Sequence, residues 1–155
     1  MIVGIDVSTA NLAFCGIANN GDITTRVIPL DPSLRGGWRF SEAHRLAHIG
    51  LAQFSAVVAV GVEIPWAVRP SFDLLGVAAV ASMAAQERLP SAVVMEMTTG
   101  SWKKESVGFG NASKADVMAH AQSRGLLLDD QDLADALCIA ECMVGRWDTR
   151  TEAAA

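Results

Sequence analysis

Two apolar runs separated by a turn-prone stretch open the chain, MIVGIDVSTANLAFCGIA over residues 1–18. Ile2, Val3 and Ile5 are β-formers, and a short continuous apolar run reads as a strand buried on both faces. Residues 7–11 are small and turn-prone. The apolar pattern resumes at Leu12 and runs to Ala18, where Asn19-Asn20-Gly21-Asp22 supplies a hairpin turn between antiparallel strands. Residues 23–30 alternate in part and read as a third, edge-like strand, with Pro29 near its end where a missing N–H is tolerated. Over residues 38–54, Phe40, Ala43, Leu46, Ala47, Leu51 and Phe54 fall at helical spacing, which predicts a surface helix with one face on the sheet. Residues 55–64 (SAVVAVGVEI) repeat the opening pattern, a β-branched run ending in one acid, Glu63.

Ser71 is suited to cap a helix over residues 72–88. Its small residues, Gly76, Ala78, Ala79, Ala81, Ser82, Ala84 and Ala85, allow close approach to the sheet or to a partner subunit. Pro90 ends that helix, and residues 91–97 (SAVVMEM) make a last strand. Residues 98–110 read as a helical turn followed by a glycine-bearing loop, and residues 113–124 as a helix stopped by Gly125. The final helix is predicted over residues 131–147, with Leu133, Leu137, Ala140 and Val144 as its apolar stripe and residues 148–155 as a frayed tail.

Three meandering strands followed by helix, strand, helix, strand and helices predict an α/β fold. The expected sheet is mixed and five-stranded, three antiparallel strands then two parallel, with helices on both faces. The first and fourth strands become neighbours, which sets Asp6 beside Glu63. At 155 residues the chain is long enough for a sizeable core and reads as one domain over residues 1–147.

Only 19% of residues are charged against 51% apolar, so an isolated charge in an apolar run is informative. No run reaches the roughly 18–20 apolar residues of a membrane span, and no basic segment precedes a signal core, which points to a cytoplasmic protein. Cys15, Cys138 and Cys142 lack zinc-type spacing and are expected to be small buried hydrophobes. A net charge of −5 argues against a nucleic-acid partner unless bound cations offset it.

The acids are where that condition is met. A carboxylate inside an apolar strand is costly to desolvate unless a cation meets it; the plainer alternative for Asp6 is a turn aspartate satisfied by backbone N–H groups. Asp132 and Asp135, in DQDLADAL, stand at i and i+3, about 60° apart on one helix face. Asp132 also suits the positive end of a helix dipole, capped by Asp129 or Asp130, whereas Asp135 is a poor interior helix residue between two alanines. Four converging acids repel unless cations are bound. Carboxylate oxygens suit magnesium or manganese, and ions about 3.5–4 Å apart can activate a water and stabilise a leaving oxygen in phosphodiester hydrolysis.

GIDVSTANLAF, VEIPW, PSFDLLGVAAVASMAAQ, SWKKESVGFGNASKADV and DQDLADALCIA, in this order and at these spacings, resemble the RuvC family of Holliday-junction resolvases within the ribonuclease H-like superfamily. The resemblance runs from Met1 to about Glu141. It implies a magnesium-dependent endonuclease that, as a homodimer, nicks two like-polarity strands of a four-way DNA junction and leaves 5′-phosphate and 3′-hydroxyl ends. Carried over by position, Asp6, Glu63, Asp132 and Asp135 would hold two Mg2+ ions, with Mn2+ able to substitute. Lys114 and Lys103 match basic positions tied to catalysis or DNA contact, and Trp66 matches a loop aromatic that stacks on a junction base. Phosphate contacts would come from Lys103, Lys104, Lys114, Arg69 and Arg124. The Phe72–Arg88 helix is the expected dimer element. Two departures mark a divergent branch, such as a phage protein working in the host cytoplasm with looser substrate choice. Val7-Ser8 stands where the family has Pro-Gly, and Ile64-Pro65 follows the glutamate.

Other constellations carry less. His44 and His48 share a helix face without an HExxH glutamate, and Ser8-Thr9 has no His–Asp partner for nucleophilic catalysis. An actin- or sugar-kinase-like ATPase lobe opens similarly but needs a second lobe and phosphate loop. A broader nuclease on branched DNA or RNA–DNA hybrids, and a non-catalytic junction-binding protein, are the remaining rivals.

Overall fold

A computed structural model describes residues 1–65, 71–126 and 130–153, with side chains through Arg150. The strands are β1 (Ile2–Val7), β2 (Asn11–Ile17), β3 (Ile23–Pro29), β4 (Ala59–Ile64) and β5 (Val93–Thr98). The helices are α1 (Gly36–Leu51), α2 (Phe72–Arg88), α3 (Thr99–Ser106), α4 (Lys114–Ser123) and α5 (Gln131–Ala153). The sheet order is β3-β2-β1-β4-β5. The first two pairings are antiparallel and β1–β4 and β4–β5 are parallel, so the expected sheet is found with β3 at its edge.

Alternation along the strands sorts the core into two layers. Val3, Ile5, Leu12, Phe14, Val60 and Val62 point toward α1 and α2. Ile2, Ala13, Cys15, Ala59 and Met97 point toward α5 and the elements beside it. All three cysteines are buried and unpaired, and burial pushes each thiol up to about 12, so they pack as small hydrophobes.

α5 lies directly on the sheet because the strands beneath it carry no side chain at the crossing. Gly4 of β1 pairs with Gly61 of β4. A Cβ on Gly4 would stand 2.2 Å from the Ala136 carbonyl oxygen and 2.4 Å from the Ala140 nitrogen. A Cβ on Gly61 would meet the side chains of Met97, Ile139 and Met143 at 3.0 Å or less. Helix backbone therefore touches strand backbone. Gly4→Ala is expected to lift α5 and cost about 2–3 kcal/mol, the upper range for overpacking a tight core, read as a lowered urea midpoint. An unchanged midpoint would mean that α5 sits less closely on β1.

Several boundaries differ from expectation, β5 among them at Val93–Thr98 rather than 91–97, and for three elements a local reason is visible. β4 begins at Ala59 rather than residue 55, because Ala56 takes φ 51° and its carbonyl accepts a hydrogen bond from the Met1 ammonium at 3.0 Å. Residues 99–106 form a full helix where a single turn was expected, anchored by fully buried Trp102 and by Ser106 Oγ donating to the Cys138 carbonyl at 2.5 Å. α1 is shifted to Gly36–Leu51, although Phe54 stays in the core. α5 continues past Trp147 to Ala153, since nothing in that stretch breaks a helix and Arg146 ties it to Glu105 of α3 at 2.6 Å.

Most of the small residues of α2 face inward, Ala79 being exposed. Ala78, Ala81, Ser82, Ala84 and Ala85 are buried, and Gly76 accommodates the Phe40 ring of α1. Phe72, Leu75 and Met83 form an exposed apolar stripe on the other side.

Candidate active site

The glycine pair that seats α5 also places the acids. Two residues beyond Gly4 and Gly61, on the same sheet face, stand Asp6 and Glu63. Ala136 sits over Gly4, so Asp132, one helical turn earlier, comes over the ends of the same strands. Asp135 follows on the adjoining face. The register thus brings all four acids of the sequence analysis to one end of the sheet, and Asp6 feels the charges of Glu63, Asp135 and Asp132.

Asp6 is 6% exposed and Glu63 9%. Burial first, then a hydrogen bond to Glu63, then the three neighbouring charges hold the Asp6 carboxyl well above its ordinary range. Asp135 is pushed up to about 6, mainly by burial and further by the charges of Glu63 and Asp132, while Gln131 and Lys103 oppose the rise. Without a cation, this end of the sheet carries more negative charge than it can keep ionised.

Among the described residues, neutral donors orient three of the acids. Thr99 Oγ1 donates to Glu63 Oε1, Gln131 Nε2 to Asp135 Oδ1 at 2.9 Å, and Asn11 Nδ2 to Asp132 Oδ2 at 2.9 Å. The Asn11 contact spans the molecule, from the β1–β2 turn to α5. Ser8, where the resembling family carries glycine, builds that turn: its Oγ accepts from the Asn11 N–H at 2.8 Å and the Ala10 N–H at 3.2 Å. Buried Arg39 pins the turn from outside by donating to the Thr9 carbonyl at 2.9 Å. At the other end Asp130 caps α5, its Oδ1 accepting from the Leu133 N–H at 3.1 Å.

The donor set fits hard divalent cations. Four carboxylates, three of them oriented by donors, with an unmet charge suit Mg2+ or Mn2+, and among the described residues no thiol or imidazole is grouped with these acids to favour a softer ion. Donors that fix carboxylate rotamers before an ion arrives play the part of an outer shell.

The basic residues sort differently. Lys103 is half-buried; its Nζ donates to the Ala112 carbonyl at 2.8 Å, which fastens α3 to the loop before α4, and its charge lowers Asp135. Lys104 and Lys114 are exposed on α3 and at the start of α4. Arg124 is engaged by Glu141 of α5. Trp66 and Arg69 lie outside the described residues.

Asn11 and Thr99 carry no signal in the sequence because their partners are 121 and 36 residues away. Gln131 was within reach: it stands four residues before Asp135 on one helix, a spacing at which side chains meet.

No protein-family model and no curated protein sequence matches this chain. Among solved structures, Thermus thermophilus RuvC superposes with a TM-score of 0.73 at 24% identity, over 96% of this chain and 98% of that one. T. thermophilus RuvC in complex with a Holliday junction substrate superposes with a TM-score of 0.74 at 24% identity, over 97% and 98%. Nearly end to end, the chain has the ribonuclease H-like fold of RuvC.

Proposed function

We propose that the protein is a metal-dependent, structure-selective DNA endonuclease that resolves four-way junctions by paired nicks. The observation that carries this reading is the convergence of Asp6, Glu63, Asp132 and Asp135 from three elements at one end of a RuvC fold, with Asp6 and Asp135 held above their ordinary range. When bound, two Mg2+ ions would supply an activated water and neutralise charge on the leaving oxygen. Asp6 and Glu63 would hold them from the strand ends, and Asp132 and Asp135 from α5. Thr99, Gln131 and Asn11 hold three of those carboxylates, Glu63, Asp135 and Asp132, in fixed orientations. Exposed Lys104 and Lys114 are suited to neighbouring phosphates, and by the resemblance Lys114 would also serve the chemistry; Lys103 compensates Asp135 and steadies its loop. Trp66 and Arg69, which follow β4 in the sequence, are the proposed junction contacts. A homodimer supplies two such centres, one per strand, and the exposed Phe72, Leu75 and Met83 stripe of α2 is the apolar face suited to form it.

Incubation with an end-labelled synthetic four-way junction and Mg2+ tests the reading, beside duplex, fork and RNA–DNA controls and a Glu63→Gln variant. Paired, symmetric nicks in the junction, absent from the variant, are expected. Equal cutting of forks or hybrids would make it a broader nuclease of the same fold. Tight junction binding with no metal-dependent cutting would leave a binding protein and remove the mechanism.

Asn11→Ala probes the long-range donor. Loss of an outer-shell partner costs roughly 10–100-fold in metal affinity or activity, so cutting should weaken by about that much and recover in part at high Mg2+. Junction affinity without metal should not change; a variant that cuts like wild type across the Mg2+ titration would show that Asp132 needs no orienting donor.

A further inference from the structure

On the sheet face opposite the acids, α1 and α2 bring together a second group of metal-ligand side chains. His44 and His48 stand one turn apart on α1, with ring centroids 4.7 Å from each other. Glu87, from the last turn of α2, completes what the sequence lacked. Its Oε2 lies 2.9 Å from His44 Nε2 and 3.1 Å from His48 Nε2. The three donor atoms lie within 4.8 Å of one another.

We propose that His44, His48 and Glu87 form a mononuclear site for a zinc-class divalent cation that staples α1 to α2. Two imidazoles and one carboxylate are a three-ligand set that leaves a fourth position open to water. Zinc bonds of about 2.0–2.2 Å put tetrahedral ligand atoms about 3.3–3.5 Å apart. The two histidine–carboxylate spacings, 2.9 and 3.1 Å, therefore need to widen only by a few tenths of an ångström. The imidazole nitrogens, within 4.8 Å of each other, have to settle at the same separation, and half-exposed side chains on a surface can make both movements. All three residues project from regular helices, so their spacing is set by backbone packing. Nitrogen donors also separate this site from the all-oxygen set at the acids, which suits a harder ion.

A second cluster, His120, Cys138 and Glu141, is a weaker candidate and serves as the internal control. Its glutamate is already paired with Arg124, and burial pushes the Cys138 thiol up to about 12, away from the thiolate a metal needs. The proposed site has no cation in contact with Glu87; its only ion-pair partners among the described residues are the two histidines.

Zn2+ titration by calorimetry in the presence of excess Mg2+, which keeps the four acids occupied, tests the proposal on the whole chain. One Zn2+ per chain is expected, with a rise in melting temperature on loading. His48→Ala should lower the affinity by at least the ~10-fold that loss of even an outer-shell partner costs. Glu87→Gln keeps a hydrogen-bond acceptor for the histidines but removes the anionic ligand, and should weaken Zn2+ comparably; an effect of His48→Ala without one of Glu87→Gln would break the three-ligand assignment. His120→Ala should change nothing. No binding to wild type, binding unaltered in His48→Ala, or loss that follows His120→Ala would each overturn the proposal. Substitutions at these half-exposed positions leave the core intact, and circular dichroism of the variants checks that.

Discussion

Asp6→Asn is expected to slow junction cutting more than ~10³-fold while leaving the fold intact and, without metal, more resistant to heat. Removing one preorganised electrostatic group from a catalytic centre costs about 10²–10³ in rate, and Asp6 would hold the ions themselves. The stability gain follows from its surroundings. Asp6 is buried against Glu63 and held well above its ordinary range, so ionising it at neutral pH without a cation costs folding energy. Asparagine has the same shape, carries no charge and can donate to Glu63 as a protonated Asp6 would. Single-turnover cleavage of a labelled junction and thermal melting in EDTA measure the two effects. Residual cutting within tenfold of wild type would remove Asp6 from the chemistry. A variant that melts lower in EDTA would show that burial of the charge is already compensated, contrary to the account given for Asp6.

Much of this arrangement is legible in the chain, and the reasons are specific. β1 and β4 announce themselves as apolar runs ending in Asp6 and Glu63, and α2 begins and ends where Ser71 and the residues before Pro90 place its limits. Gly4 and Gly61 were also visible as residues, but not as a pair, because pairing depends on the β1–β4 register and on α5 crossing there. That crossing converts two strand-end acids and one helix pair into a single cluster. The Asn11 and Thr99 donors, and Glu87 beside His44 and His48, are likewise products of packing between elements far apart in sequence. α3 is longer than its pattern predicts for a related reason. Its sequence, TGSWKKES, has only one large apolar residue, Trp102, and a helix that short is held by what it is buried against, not by periodicity.

The same buried charge gives the protein a stability that runs against pH when metal is removed. Asp135 has an ordinary value of 3.8 and is pushed up to about 6 in the folded chain. Below pH 3.8 it is protonated in both folded and unfolded states and has no effect. Between the two values the folded state holds the proton more tightly, so stability falls as pH rises. Above pH 6 the carboxyl is ionised in both states, and the full penalty is present, roughly 3 kcal/mol at about 1.4 kcal/mol per tenfold change in proton affinity. Asp6 adds a loss of the same sign. The carboxyls held low, Asp31, Glu42, Glu87, Glu105 and Asp116, act oppositely, but their gain is complete above the ordinary carboxylate range, near pH 5, so it does not mask the decline beyond. In EDTA the urea midpoint should therefore drop between pH 5 and pH 7.5, and Asp135→Asn should flatten the part of that drop below about pH 6, leaving the part due to Asp6. Mg2+ binds only ionised carboxylates, so its stabilisation should be slight at pH 5 and largest at the alkaline end, turning the decline into a plateau or a rise. A midpoint that climbs through this window in EDTA would mean the four acids are already neutralised by the chain itself. Equal stabilisation by Mg2+ at pH 5 and pH 8 would mean that the ions bind somewhere other than at these carboxylates.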